Sequence, residues 1–268
     1  MSRLQETFQN LRASNRKALI PYVIAGDPSA STTLPLLHAM VAAGSDVIEL
    51  GIPFSDPMAD GPTIQRASER ALQQGVGIRD VLSMVGQFRE QDDRTPVVLM
   101  GYLNPIEVMG YQAFADSAAE AGVDGVLIVD MPPEETGLLS DLLKSNAIDM
   151  IFLLAPNSTL QRMRKIVSIA SGYLYYVSLK GVTGAGHLDL DSVEQKLGQI
   201  RSLTEMPIGV GFGVKDAETA RSVGGLADGV VVGSALIEQI EASLDSPERA
   251  IQGVSQLLQS MRSGLDSV

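Results

Sequence analysis

Alternation is what most constrains this chain. Short apolar runs recur along its 268 residues, at Ala18–Gly26, Val47–Leu50, Pro96–Gly101, Gly125–Val129, Met150–Leu154, Tyr173–Ser178, Pro207–Gly211 and Gly229–Val232. They are rich in Val, Ile and Leu, and their near-continuous apolar character suits strands buried on both faces of a parallel sheet. Helical spacing fills the gaps, at Thr32–Ala43, Ile64–Gln74, Ile78–Gln91, Tyr111–Ala121, Glu134–Ser145, Thr159–Ala170, Asp191–Ser202 and Ala217–Gly224, and again at Pro247–Ser263. Eight strands alternating with helices in about 250 residues predict an α/β chain of the (β/α)8 TIM-barrel class. The rival is a doubly wound open sheet, but the first strand-to-helix turn, Ala25-Gly26-Asp27-Pro28, lacks the GxGxxG spacing of that fold.

Two features decorate the repeat. Leu4, Phe8 and Leu11 stand at helical spacing before the first strand, which predicts an extra N-terminal helix. The second and third strands lie about twice as far apart as the others, so an additional helix and a long loop are inserted between them. Ala43-Gly44-Ser45-Asp46, Ala121-Gly122-Val123-Asp124 and Gly225-Leu226-Ala227-Asp228 each lead into a strand, a weak internal repeat of the βα unit. No linker divides the chain, so residues 1–268 read as one barrel domain.

Composition narrows the function. The net charge of −12 argues against nonspecific binding to nucleic acid or to an anionic membrane. It leaves room for an anionic ligand held by backbone N–H groups. With no cysteine and two histidines, a thiolate site, a disulfide and a His-rich metal site are all excluded. No apolar run approaches the ~18 residues of a membrane span, and the N-terminus lacks a signal peptide's apolar core, so the expected location is the cytoplasm.

The chemistry points to residues 49–65, Glu-Leu-Gly-Ile-Pro-Phe-Ser-Asp-Pro-Met-Ala-Asp-Gly-Pro-Thr-Ile-Gln. Glu49 is read as the end of the second strand, a carboxylate in a segment otherwise made for burial. Asp56 and Asp60 follow in a proline- and glycine-rich loop, and Pro62 opens a helix. Either these acids form an acid–base site, or Glu49 pairs with a distant cation and the loop is only a long turn. Barrel active sites gather at the C-terminal strand ends, which places Met100, Tyr175 and the glycine-rich segment 178–187 near Glu49. Gly211-Phe212-Gly213 after the seventh strand and Gly233-Ser234 after the eighth suit a phosphate, because converging amides and a helix N-terminus favour an anion. Lys180 reads as solvated, His187 as solvent-facing, His38 as a surface or half-buried helical residue, and Asp130 as a helix-start acid.

The seventeen-residue stretch 49–65 resembles the signature of the tryptophan synthase α-chain family. The match continues in order through Gly181-Val-Thr-Gly184, Gly211-Phe-Gly213 and Gly233-Ser234, and covers essentially the whole chain. The resemblance implies a lyase that cleaves indole-3-glycerol phosphate to indole and D-glyceraldehyde 3-phosphate in tryptophan biosynthesis. It implies an α2β2 assembly with a β chain that carries pyridoxal phosphate, and neither cofactor nor metal in this chain. By the same matching, Glu49 and Asp60 would be the catalytic carboxylates. Tyr22, Met100, Leu127, Tyr175 and Phe212 would line the indole pocket. Gly184, Gly213, Gly233 and Ser234 would hold the phosphate, and Thr183 would close over Asp60. Residues 53–60, with Asp56 and Pro57, would face the β chain. Tyr22 stands where phenylalanine is common, Met100 where leucine is common, and Leu179-Lys180 where some members carry an arginine. The first two departures should alter pocket packing only slightly, whereas the third bears on how the loop after the sixth strand is latched. Three other functions compete with this one: a stand-alone lyase releasing free indole, a non-catalytic activator of a β chain, and a different phosphosugar isomerase or epimerase. The two acids argue against the second, and the signature against the third.

Overall fold

The computed structural model describes residues 2–177, 190–211 and 213–268. Its strands are β1 (Ala18–Ile24), β2 (Ile48–Gly51), β3 (Val97–Gly101), β4 (Gly125–Ile128), β5 (Asp149–Leu154), β6 (Leu174–Val177), β7 (Ile208–Gly211) and β8 (Gly229–Val232). They pair in chain order, all parallel, and β8 returns to β1 to close the barrel. Its helices are α1 (Arg3–Ala13), α2 (Ala30–Ala42), α3 (Pro62–Gln73), α4 (Ile78–Arg89), α5 (Leu103–Met109), α6 (Tyr111–Ala121), α7 (Gly137–Ser145), α8 (Leu160–Ile169), α9 (Leu190–Arg201), α10 (Ala217–Gly224), α11 (Ser234–Glu241) and α12 (Pro247–Leu265). The fold is therefore the (β/α)8 barrel, with the expected N-terminal helix and the expected extra helix between β2 and β3. None of the described helices is long and apolar enough to cross a membrane.

Strand side chains alternate between two apolar compartments. Leu19, Ile48, Leu50, Leu99 and Val126 face outward and pack under the helices. Ala18, Ile20, Val47, Val98, Leu127, Ile151, Tyr173 and Val231 face inward and join Leu4, Phe8 and Leu11 of α1. The N-terminal helix is thus a plug in the bottom of the barrel. Ser2 caps it and also donates to Asp149 Oδ2 at 2.7 Å, while Arg3 reaches Asp124 at 2.9 Å.

The internal repeat has a structural basis. Asp46 Oδ2 accepts the N–H of Leu19 at 2.8 Å, Asp124 Oδ2 that of Val97 at 2.8 Å, and Asp228 Oδ2 that of Ile208 at 3.0 Å. Each acid before an even strand therefore satisfies an entry amide of the odd strand beside it.

Several boundaries differ from the sequence reading. β2 runs on to Gly51, because Gly51 still pairs with both Ile24 and Met100. Glu49 is therefore two residues inside the strand rather than its end. The seventh helix begins at Gly137 instead of Glu134, since Pro132 and Pro133 turn the chain first, with Glu135 N–H donating to Pro132 C=O at 3.0 Å. The helical spacing does not predict α5. That helix buries only Ile106 and leaves Val108 82% exposed, too little periodicity for a sequence signal. Asp130 does not start the helix that follows it; its carboxylate instead accepts the N–H of Leu103, the first residue of α5, at 2.8 Å.

Candidate active site

The strand register brings the candidate residues to one rim. Tyr22 stands beside Glu49 across β1 and β2, Met100 beside Leu127 across β3 and β4, and Leu153 beside Tyr175 across β5 and β6. Gly211 pairs with Val231 and Pro21 with Val232, so the chain exits of β7, β8 and β1 lie side by side. Gly213 and Gly233 each sit two residues beyond the Gly211–Val231 pair. A Cβ on Gly233 would lie 3.2 Å from Tyr22 Cδ1, so the glycine after β8 abuts the ring beside Glu49. The glycine-lined end and the acid end are therefore neighbours.

Glu49 is fully buried. The Tyr173 hydroxyl donates to its Oε1, and its Oε2 has no hydrogen-bond partner among the described residues. Burial pushes its carboxyl up to about 8, against the opposing pull of Tyr173. Asp60 is half-buried in the loop before α3. The Tyr102 hydroxyl donates to its Oδ2 at 3.1 Å and accepts the N–H of Ala59 at 3.1 Å. Gln65 donates to the Asp60 carbonyl at 2.9 Å, tying the acid to the first turn of α3. Burial raises the Asp60 carboxyl and Tyr102 lowers it. Among the described residues no cation contributes to either acid.

Two tyrosines lie in the field of both acids. Burial, then Asp60, then Glu49 raise the Tyr22 hydroxyl, while burial, then Glu49, then Asp60 raise that of Tyr175. Both phenols therefore feel both carboxylates. β7 makes room for Tyr175 on the neighbouring strand: a Cβ on Gly211 would lie 2.1 Å from the Tyr175 oxygen.

The rim beyond β7 and β8 is built from backbone. Gly213 adopts a φ of +80°, a conformation that favours glycine. Gly233 caps α11, whose first turn has no side-chain cap. The N–H groups of Ser234 and Ala235 there, with the helix dipole, suit a phosphate. Ser234 is exposed at the same turn.

Thr183, Gly184 and Phe212, like Leu179, Lys180 and His187, lie outside the described residues. His38 is half-buried on the outer face, stacked on Phe88 at 4.9 Å. Among the described residues no group of three or more His, Cys, Asp or Glu side chains could hold a metal. Sequence reasoning missed Tyr102 and Tyr173 as partners of the acids. The signal was period-2 spacing, since Tyr102 follows Met100 by two residues and Tyr173 precedes Tyr175 by two.

Comparison with known proteins places this geometry in context. A family profile described as tryptophan synthase alpha chain matches residues 8–266. The tryptophan synthase alpha chain of Methylococcus capsulatus is 61% identical over 267 residues, covering 100% of each chain. That of Thioalkalivibrio sulfidiphilus is 59% identical over 266 residues, covering 99% of this chain and 100% of its own. The crystal structure of tryptophan synthase subunit alpha from Legionella pneumophila superposes with a TM-score of 0.93 at 45% identity, covering 100% of each chain.

Proposed function

The chain belongs to the tryptophan synthase alpha chain family, and on that premise we propose that Glu49 and Asp60 are the two acids of its lyase reaction, with the amides at Gly213, Gly233 and Ser234 as its phosphate grip. The protein cleaves indole-3-glycerol phosphate to indole and glyceraldehyde 3-phosphate, a step of tryptophan synthesis. The observation that carries the residue assignment is a fully buried carboxyl, raised to about 8, whose Oε2 has no protein partner among the described residues.

The bond to be broken joins indole C3 to the glycerol chain. C3 must first accept a proton, which leaves positive character at N1. Glu49 holds a proton at neutral pH because burial disfavours its charged form, so it suits delivery to C3. Asp60 suits N1, where its carboxylate stabilises or takes up the charge. Glu49, now ionised, removes the proton of the glycerol hydroxyl. The carbon–carbon bond then breaks, its electrons return to the ring, and the aldehyde leaves with the phosphate. Glu49 ends protonated, as it began. Tyr22, Met100, Leu127 and Tyr175 supply walls for the indole, and the phosphate grip positions the substrate far from the reacting bond.

Family membership ties the chain to the tryptophan synthase complex. We infer that its partner is a β chain carrying pyridoxal phosphate, docked against residues 53–60, and that this chain itself needs no cofactor. Asp56 is exposed and receives the Ser55 hydroxyl at 2.5 Å, and Met58 beside it is 85% exposed, which supports a loop available to a partner. An Asp56→Ala chain that is still fully activated by the β chain would remove that loop from the coupling.

The experiment is indole release from indole-3-glycerol phosphate, with and without β chain. Glu49→Gln should lower kcat by about 10³-fold or more, since one group makes two proton transfers typically worth ~10²–10⁴ each, while phosphate-ligand binding is retained. Near-normal turnover would refute the assignment. Asp60→Asn should also lose cleavage. High unaided turnover would instead favour a stand-alone lyase.

A further inference from the structure

Four charged side chains outside the reacting centre bind its supports together. Asp27 follows β1, Arg66 and Arg70 lie on α3, and Glu241 ends α11. Arg70 forks onto Asp27 at 2.6 and 2.9 Å and extends its remaining nitrogen to Glu241 at 3.1 Å. Arg66 grips the two oxygens of Glu241 at 2.6 Å each. Asp27 is fully buried, and burial pushes its carboxyl up against the pull of Arg70. Desolvating an ion pair is an expensive way to gain stability, because well-packed apolar side chains often do as well. What a guanidinium offers here is geometry: its planar fork can bridge two carboxylates, which a lysine cannot reproduce.

The bridged elements are those that carry the two ends of the site. α3 begins two residues after Asp60, and its Gln65 holds the Asp60 carbonyl. α11 begins at Ser234, directly after Gly233. The turn after β1 seats on the far end of α3, where a Cβ on Gly26 would lie 2.8 Å from Val76 Cγ2 and 3.1 Å from Ala71 Cβ.

We propose that Arg70 is a positioning residue, which by bridging Asp27 and Glu241 sets α3 against α11 and so fixes the span from Asp60 to the phosphate grip. This rests on the proposed roles of those two ends. Cleavage needs both ends at their correct separation, whereas a bare phosphate needs only one.

Arg70→Lys and Glu241→Gln in the full chain, assayed with β chain well below their melting temperatures, separate these demands. Turnover of indole-3-glycerol phosphate should fall on the order of 10- to 100-fold, the scale of a misplacement of about 1 Å, while the Kd for inorganic phosphate stays within about twofold. Arg66→Gln, which leaves the Arg70 bridge in place, should keep turnover within about threefold of the parent. Unchanged kcat in both bridge variants makes the cluster merely structural and overturns the proposal. So does an equal loss in kcat and phosphate binding, or an Arg66→Gln defect as large as that of Arg70→Lys. If Arg70→Lys does not fold, Glu241→Gln decides, because Glu241 sits at the more exposed end of the cluster, its side chain 27% accessible against 0% for Asp27. Asp60→Asn in the same assay separates the two levels: normal turnover there sinks the site assignment itself, whereas loss there with an intact Arg70→Lys enzyme sinks only the positioning role.

Discussion

Asp46, Asp124 and Asp228 enter the barrel at one mouth, Glu49 and Asp60 stand at the other, and the two sets are neutralised by different partners. At the N-terminal mouth, Asp46 meets Arg262 at 2.9 Å, Asp124 meets Arg3 at 2.9 Å and Arg89 at 2.6 Å, and Asp228 meets Arg201 at 3.5 Å. Each of these acids also accepts a strand amide. At the C-terminal mouth the partners are phenols: Tyr173 for Glu49 and Tyr102 for Asp60. An acid matched by a cation and an amide holds strands in place, even where burial still raises its carboxyl, as at Asp46. Glu49, given only a hydroxyl in an apolar setting, keeps its proton within reach of neutral pH, and such a group can pass it on.

The contrast breaks most visibly in stability against pH. The fold holds the Glu49 proton up to about 8, whereas the ordinary value is 4.5. Between those values the folded state binds more protons than the unfolded one, so this residue's contribution to stability falls as pH rises through the window and is flat above it. Glu49→Gln removes that dependence. The variant should gain on the parent between pH 5 and pH 9, by up to about 3–5 kcal/mol, at roughly 1.4 kcal/mol for each tenfold difference in proton affinity between the folded and unfolded states. Urea melts at the two pH values measure it. An advantage equal at both would mean the fold does not hold the proton at all.

The opposite mouth should respond in the opposite sense. Asp124→Ala strips a buried carboxylate from Arg89, whose guanidinium keeps its hydrogen bonds to the carbonyls of Gly122, Asp92 and Thr95 but no longer faces the Asp124 carboxylate. Breaking one partner of a buried pair should cost about 3 kcal/mol. Folded enzyme should keep kcat within about twofold, since remote sites act independently. A lower kcat in fully folded protein would erase the division of labour between the mouths.

The sequence carried the strands because they are buried on both sides and therefore nearly all apolar, and it carried Glu49 because a carboxylate inside such a run is conspicuous. The Asp46, Asp124 and Asp228 repeat was visible as spacing, but its meaning was not. Each acid serves the strand beside it, and that adjacency exists only once the sheet is paired. Tyr173 lies 124 positions from Glu49 and meets it only across the closed barrel. Gly211 looks like a chain breaker in sequence but leaves the space that the Tyr175 ring fills. Arg70 carries no local mark, since the carboxylates it bridges come from segments far apart in the chain.

The smallest effect is the most informative about which side of the contrast Glu49 belongs to. Tyr173 packs its ring on Phe8 at 5.6 Å and offers only its hydroxyl to the acid. Tyr173→Phe keeps the packing and removes the hydroxyl. That donation favours the ionised acid, so without it burial acts unopposed and the Glu49 carboxyl moves above about 8. A hydrogen bond to a charged group is worth about 1.5–3 kcal/mol, which corresponds to roughly one to two pH units. If the high-pH fall in kcat reports loss of the Glu49 proton, that limb should move upward by this amount. At pH 7 the protonated fraction is already high and barely changes, so delivery to C3 should survive. The later removal of the hydroxyl proton meets a less stable carboxylate, and kcat should change by less than about tenfold. A limb that stays in place would assign it to another group and leave Tyr173 as packing alone.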